Sequence, residues 1–206
     1  ESGVAARPIE DLDAYRDDLS RFVFRSGMLM KPMFEAARST KRRLVLAEGE
    51  GGKMLQACQL IVSEQLADVT LVGRPHVIED KIKSMGLSIV PGKDFDIVDN
   101  LNDDVITSIG EEYHGLMARQ GMTPKAAQTR VRANTTVVAS MLLRRGDADA
   151  MLCGTFGTYG KHLQMVDEII GRKRESPVVG ALTVLILPQG TIFLTDTHVN
   201  FDPTAE

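Results

Sequence analysis

The chain has 206 residues, 43% of them hydrophobic and 25% charged, which suits a globular α/β core and leaves no apolar run near the roughly 20 residues a membrane span needs. A formal charge of -4 argues against a general nucleic-acid binder. There is no signal-peptide pattern, and the two cysteines, Cys58 and Cys153, stand apart in apolar periodic segments, which predicts buried reduced thiols in a cytoplasmic protein rather than a disulfide or zinc site.

Residues 1–7 read as a linker. Pro8 with Glu10, Asp11 and Asp13 behind it opens a helix that runs to Ser26 and Gly27, because acidic side chains in a first turn favour the helix dipole. A second helix at 31–39 sets Met30, Met33, Phe34 and Ala37 on one face. The run 44–47 is a strand, and Leu55, Cys58 and Val62 continue at helical spacing, so the turn between them, EGEGGK, belongs to a βα unit. That turn lacks the glycine offsets of a dinucleotide or phosphate loop, and its two glutamates, Glu48 and Glu50, repel a diphosphate; both points argue against nucleotide binding there. Arg74, after a strand at 69–72, stands at a strand end where it could reach an anion, with a solvated loop arginine as the first expectation.

A helix at 76–85 is followed by two short β-like runs, 87–90 and 95–98, split by Pro91 and Gly92. Three helices come next. One carries Ile106, Ile109, Tyr113 and Met117, the second opens on Thr123 and Pro124, and the third runs from Asn134 or Thr135 to Gly146. They are expected to separate two lobes of sheet structure.

The most informative stretch is 146–170. A short apolar strand at 148–153 leads into a loop of glycines and hydroxyls, Gly154 to Gly160, and then into a helix. Ligands of open α/β sheets bind at the carboxyl ends of strands, which makes this loop the first candidate site, although a glycine-permitted βα turn explains the same composition. Further on, the runs 178–187 and 191–194 are expected to pair as a hairpin across Gln189 and Gly190. Asp196, His198 and Asn200 alternate toward one side; with no second cluster to complete a metal site, they read as a hydrogen-bonded strand end. Asp202 before Pro203 reads as a helix cap. His162 and His198 are the two histidines worth following, each with a structural role as the first expectation. No nucleophile sits in a recognisable elbow.

Taken together, RPIEDLDAYRDDLSRFV, MKPMFEAAR, LVLAEGE, LVGRPHVIEDKI, RRGDADAMLCGTFGTYGKHL and DTHVNFDPTAE resemble the C-terminal phosphotransacetylase-like domain of large bacterial NADP-dependent malic enzymes. The resemblance runs from Arg7 to Glu206 and is sharpest at CGTFGTY. It implies a three-layer αβα fold of two lobes with a mostly parallel sheet, incomplete at its C-terminal end. The expected division is a linker and N-terminal helices at 1–39, a first lobe at 40–132 and a second at 133–206. It also implies an acyl-CoA cleft, with acetyl-CoA as effector, lined by Gly154, Thr155, Phe156, Gly157, Thr158, Tyr159 and Lys161 and edged by Asp196 and Asn200. Further implications are a homo-oligomer and a malic-enzyme domain on the same chain that holds NADP and Mg²⁺ or Mn²⁺. No catalytic residue, metal, nucleic acid or membrane is expected of this segment. Phosphate acetyltransferases carry arginines at the places that match Met117 and Gln164, so the planar cationic donors for phosphate and oxyanion are missing. The resemblance therefore favours recognition of a metabolite over its transformation, with an active phosphate acetyltransferase as the alternative.

Overall fold

The computed structural model describes residues 11–13, 15, 30–175, 178–187, 189–197 and 199–200. Most of the expected helix at 8–27, the histidine His198 and the cap at Asp202 lie outside the described residues. Helix α1 covers residues 30–39. After it come β1 (Arg42–Leu46), α2 (Gly52–Ser63), β2 (Ala67–Val72), α3 (Pro75–Ser84) and β3 (Phe95–Val98). The helices α4 (Asp103–Met117), α5 (Pro124–Ala133) and α6 (Thr135–Arg145) follow, then β4 (Ala150–Leu152) and α7 (Tyr159–Ile169). A hairpin of β5 (Leu182–Leu187) and β6 (Gly190–Thr195) completes the described elements.

The four strands β3-β2-β1-β4 form one sheet in that order, every pair parallel, with Leu44 opposite both Val69 and Ala150. Parallel strands need crossover helices, and the helices cover both faces. The pleat sends alternate residues to opposite sides. Leu46, Val69, Leu71 and Phe95 join Leu55, Cys58, Ile78 and Ile82 in the core under α2 and α3. On the other face Val45, Ala47 and Val72 join Ile109, Tyr113, Val131, Val137, Met141 and Ile169 from α4 to α7. The result is the expected αβα layering around a mostly parallel sheet.

The helix ends follow the expected chemistry. The Asn102 side chain accepts from the N–H groups of Asp104 and Val105 at the start of α4, the Thr123 hydroxyl accepts from Ala126 N–H at the start of α5, and Gly146 ends α6 in the left-handed region. The run 87–90 is not a strand. Ser88 N–H donates to the Gln59 side chain and Val90 N–H to the Asp94 carboxylate, so the donors that a ladder would use are already taken. Residues 135–169, expected in the second lobe, place α6 against β1 and β2 and return β4 to the edge of this same sheet. The expected hairpin forms as a separate two-stranded antiparallel sheet, with Gly190 already in its second strand opposite Leu187 and with both faces exposed.

Candidate functional site

Sheet order decides where a ligand can enter. From β1 the chain crosses to β2 and β3 on one side, while β4 lies on the other, so the loops after β1 and β4 diverge and leave a crevice at the strands' carboxyl ends. A cavity of about 620 Å³ lies at this end of the sheet. It is lined by the turn after β1, by Arg74 after β2, by Asn100 and Leu101 before α4, by Arg132 and Thr135 where α5 meets α6, and by Thr155 and Phe156 after β4.

The turn 48–53 is drawn tightly onto the sheet. Gly49 N–H donates to Val72 C=O at 3.0 Å, and a Cβ on Gly49 would lie 2.8 Å from both Leu71 Cβ and Val72 O, so only glycine fits this approach. The turn thereby aims its two carboxylates in different directions. Glu48 reaches the loop after β4: its Oε1 accepts from Gly154 N–H at 2.9 Å, and its Oε2 accepts from the Thr155 hydroxyl at 3.2 Å and Thr155 N–H at 3.5 Å. Glu50 turns to Arg74, whose Nε and Nη2 donate to the two carboxylate oxygens at 2.8 and 2.7 Å in a forked pair. The Arg74 hydrogen bonds hold the Glu50 carboxyl below the usual carboxylate range.

His162 on α7 fastens the loop from the other end. Its Nε2 lies 2.6 Å from Phe156 C=O, which can only accept, so Nε2 carries the proton. Nδ1 lies 2.9 Å from the buried Thr136 hydroxyl, with which it shares a hydrogen bond, and 3.7 Å from Glu48 Oε1. Gly157, at φ +97, passes so close to the ring that a Cβ there would stand 3.1 Å from Nε2. Glu48, His162 and Thr136 together hold the loop in one conformation.

Of the residues singled out in the sequence, Thr155 and Phe156 line the cavity, and Phe156 presents a ring 84% exposed. Gly154 spends its N–H on Glu48, while Tyr159, Gly160 and Lys161 form the exposed first turn of α7 and are not among the lining residues. Asp196 and Asn200 bond to the base of the hairpin: Asp196 Oδ1 accepts from Ala181 N–H, and Asn200 Nδ2 donates to Val179 C=O. That is the hydrogen-bonded strand end expected for them. Sequence reasoning missed Lys53, Asn100 and Arg132 as cavity residues, and it took Arg74 for a solvated arginine although Glu50 holds it. The thiols of Cys58 and Cys153 are unpaired, and burial pushes both upward, Cys58 to about 12. Among the described residues no three histidine, cysteine, aspartate or glutamate side chains gather as a metal site, and no helix is long and apolar enough to cross a membrane.

The two positions at which the family resemblance leads to an expectation of arginines are both spoken for. Met117 is buried in the core beneath α4 to α7, and Gln164 donates its amide to Glu168 at 3.0 Å. Neither provides a cation.

These features define an open, doubly wound α/β domain with a ligand-sized crevice at its switch point. The family described as phosphate acetyl/butaryl transferase matches residues 28–206, and the chain belongs to that family. The NADP-dependent malic enzymes of Haemophilus influenzae and Escherichia coli are 50% and 44% identical over 206 residues, covering 100% of this chain and 27% of each of those proteins. The chain thus spans about a quarter of the length of these relatives, and the resemblance to a malic-enzyme domain drawn from the sequence holds. A phosphate acetyltransferase of Clostridium acetobutylicum is 29% identical over 184 residues, covering 86% of this chain and 54% of that protein. In fold, the chain is similar to the EutD phosphotransacetylase from Staphylococcus aureus, with a TM-score of 0.65 at 16% identity over 80% of this chain and 49% of that one.

Proposed function

We propose that this chain is the regulatory, acyl-CoA-binding and oligomerising part of an NADP-dependent malic enzyme. The observation that carries the reading is its 44–50% identity, over its whole length, to proteins of that name. In this reading the oxidative decarboxylation of malate, with its NADP and Mg²⁺ or Mn²⁺, belongs to another part of the same protein, and acetyl-CoA bound here lowers its rate. A ligand regulates only by binding one arrangement of subunits better than another, so the module acts in an oligomer.

The crevice suits such a ligand. It combines apolar Val72, Leu101 and Phe156 with cationic Lys53, Arg74 and Arg132, and its 620 Å³ falls within the roughly 300–1,000 Å³ usual for small-molecule sites. Thr155 and Phe156 meet the ligand directly, and the rest of the loop to Lys161 borders it. Titration of acetyl-CoA into the full-length protein gives saturable binding on this reading; no heat and no shift in melting temperature would contradict it.

Active phosphate acetyltransferase is the second reading, favoured by the more distant relatives of that name. Met117 and Gln164 weigh against it, because a thioether and an amide replace permanently charged planar donors. Acetyl phosphate formed from acetyl-CoA and phosphate would establish it.

A further inference from the structure

Helix α7 has one buried side chain, Ile169, so apolar packing alone fixes its place on the domain only loosely. Polar contacts supply the rest, and three of them converge on Glu168, a carboxylate only 17% exposed that lies outside the cavity lining. Its Oε2 accepts from Arg130 Nη2 of α5 at 2.9 Å and from the Tyr113 hydroxyl of α4 at 3.3 Å, and its Oε1 accepts from Gln164 Nε2 one turn back at 3.0 Å. The Arg130 guanidinium also lies over the Tyr113 ring, 5.9 Å from its centre. Burial pushes the Tyr113 hydroxyl up to about 12, which keeps it a donor at neutral pH. Three helices thus meet at one carboxylate.

Both walls of the crevice hang on this junction. On one side α7 carries His162, whose Nε2 holds Phe156 C=O, and about 9 Å of helix, at 1.5 Å per residue, separates His162 from Glu168. On the other side Arg130 and Arg132 share α5; Arg132 lines the cavity, and its C=O accepts from Asn100 Nδ2 at 2.9 Å. A slip of α7 at Glu168 is therefore carried by the helix to the loop that bears Thr155 and Phe156.

We propose that Glu168 is a positioning residue for the crevice: by tying α7 to Arg130 and Tyr113, it sets where the loop bearing Thr155 and Phe156 stands relative to the wall of Asn100, Arg132 and Thr135. The proposal rests on the acyl-CoA reading only for the ligand whose binding reports the effect. In so enclosed a pair desolvation offsets much of the attraction, so its contribution is the register of α7 rather than net stability. Glu168 acts on the loop through α7 and His162, not by contact with it.

The test uses the full-length protein carrying Glu168→Gln, the apolar pair Arg130→Met with Glu168→Met, and the exchanged pair Arg130→Glu with Glu168→Arg. Amide exchange at Gly154, Thr155 and Leu71, the melting temperature and acetyl-CoA titration are measured for each. Glu168→Gln and the apolar pair speed exchange at Gly154 and Thr155 about tenfold, the worth of roughly one lost buried contact, and weaken acetyl-CoA by a similar factor. The apolar pair does so with its melting temperature close to the natural one. The exchanged pair recovers both quantities, since the Gln164 amide and the Tyr113 hydroxyl can each turn an oxygen toward the new guanidinium. Unchanged loop exchange in Glu168→Gln and the apolar pair overturns the proposal. So does an exchange rate that rises equally at Leu71 in β2, which marks a merely structural role, or an exchanged pair that folds without recovering loop protection. Faster loop exchange with acetyl-CoA affinity unchanged also overturns it and leaves the acyl-CoA reading standing. If the natural chain binds no acetyl-CoA, that reading falls, and the positioning role is decided by loop exchange and its recovery in the exchanged pair.

Discussion

Two glutamates two residues apart do opposite work. Glu50 is a structural anion bound by a forked arginine, and Glu48 is an acceptor for the loop that borders the cavity. Substituting Glu48→Gln tests the second role, because an amide offers one acceptor oxygen and turns an NH₂ toward donors that previously met a carboxylate. The expected cost is about 1–3 kcal/mol in denaturant unfolding, together with faster amide exchange at Gly154 and Thr155; unchanged exchange would mean the loop is held otherwise. At Gly49, substitution by alanine forces a Cβ to within 2.8 Å of Val72 O, a backbone atom with no room to yield. Gly49→Ala therefore lowers the melting temperature markedly, whereas Gly86→Ala, where a Cβ meets nothing within 4 Å, leaves only the strain of its left-handed backbone.

At the level of elements, the short edge strand β4 depends on more than its ladder. Arg43 and Asp149 clamp it to β1: Arg43 N–H donates to Asp149 Oδ2 at 2.8 Å, Arg43 Nη2 donates to Oδ1 at 2.8 Å, and Asp149 N–H returns a bond to Arg43 C=O. The Arg43 side-chain hydrogen bond, and then the backbone one, pull the Asp149 carboxyl down to about 2. A depressed folded-state value means that the stabilisation is present above the ordinary carboxylate value of 3.8 and is lost as pH falls from there toward about 2. Asp149→Asn should thus lower the melting temperature at pH 7 and narrow the gap to the natural protein as pH drops through that window. A gap independent of pH would contradict the clamp.

The elements themselves were largely legible, because each strand of the main sheet is a short apolar run and each helix an apolar stripe with a cap. The exception, 87–90, looks like a strand by composition, but its donors are captured by Gln59 and Asp94; the first of these lies 29 residues away, beyond any local pattern. The site was legible only in part for the same reason. The loop Gly154–Gly160 advertises itself by glycine, yet its partner Glu48 lies 106 residues earlier, and the Arg74 that neutralises Glu50 lies 24 residues later. Without those pairings the turn EGEGGK reads as repulsive to anions. Lys53, Asn100 and Arg132 come from three different elements and carry no common spacing. Asp196 and Asn200 went the other way: the local reading of a strand end describes the contacts they make, and their place beside an acyl-CoA cleft remains a proposal drawn from the family resemblance.

For the molecule as a whole, the proposed regulatory function would put a family fold to a different use. The αβα layering and the crevice at the switch point are those of a phosphate acetyl/butaryl transferase family member, while Met117 in the core and Gln164 on Glu168 leave two expected cationic positions neutral. A domain that binds a metabolite without converting it can act only by coupling its binding to another site, and that coupling is measurable. The direct measurement is NADPH formation from malate by the full-length protein while acetyl-CoA is titrated in. The account predicts a saturable fall in rate; a rate that stays constant while acetyl-CoA demonstrably binds would contradict it.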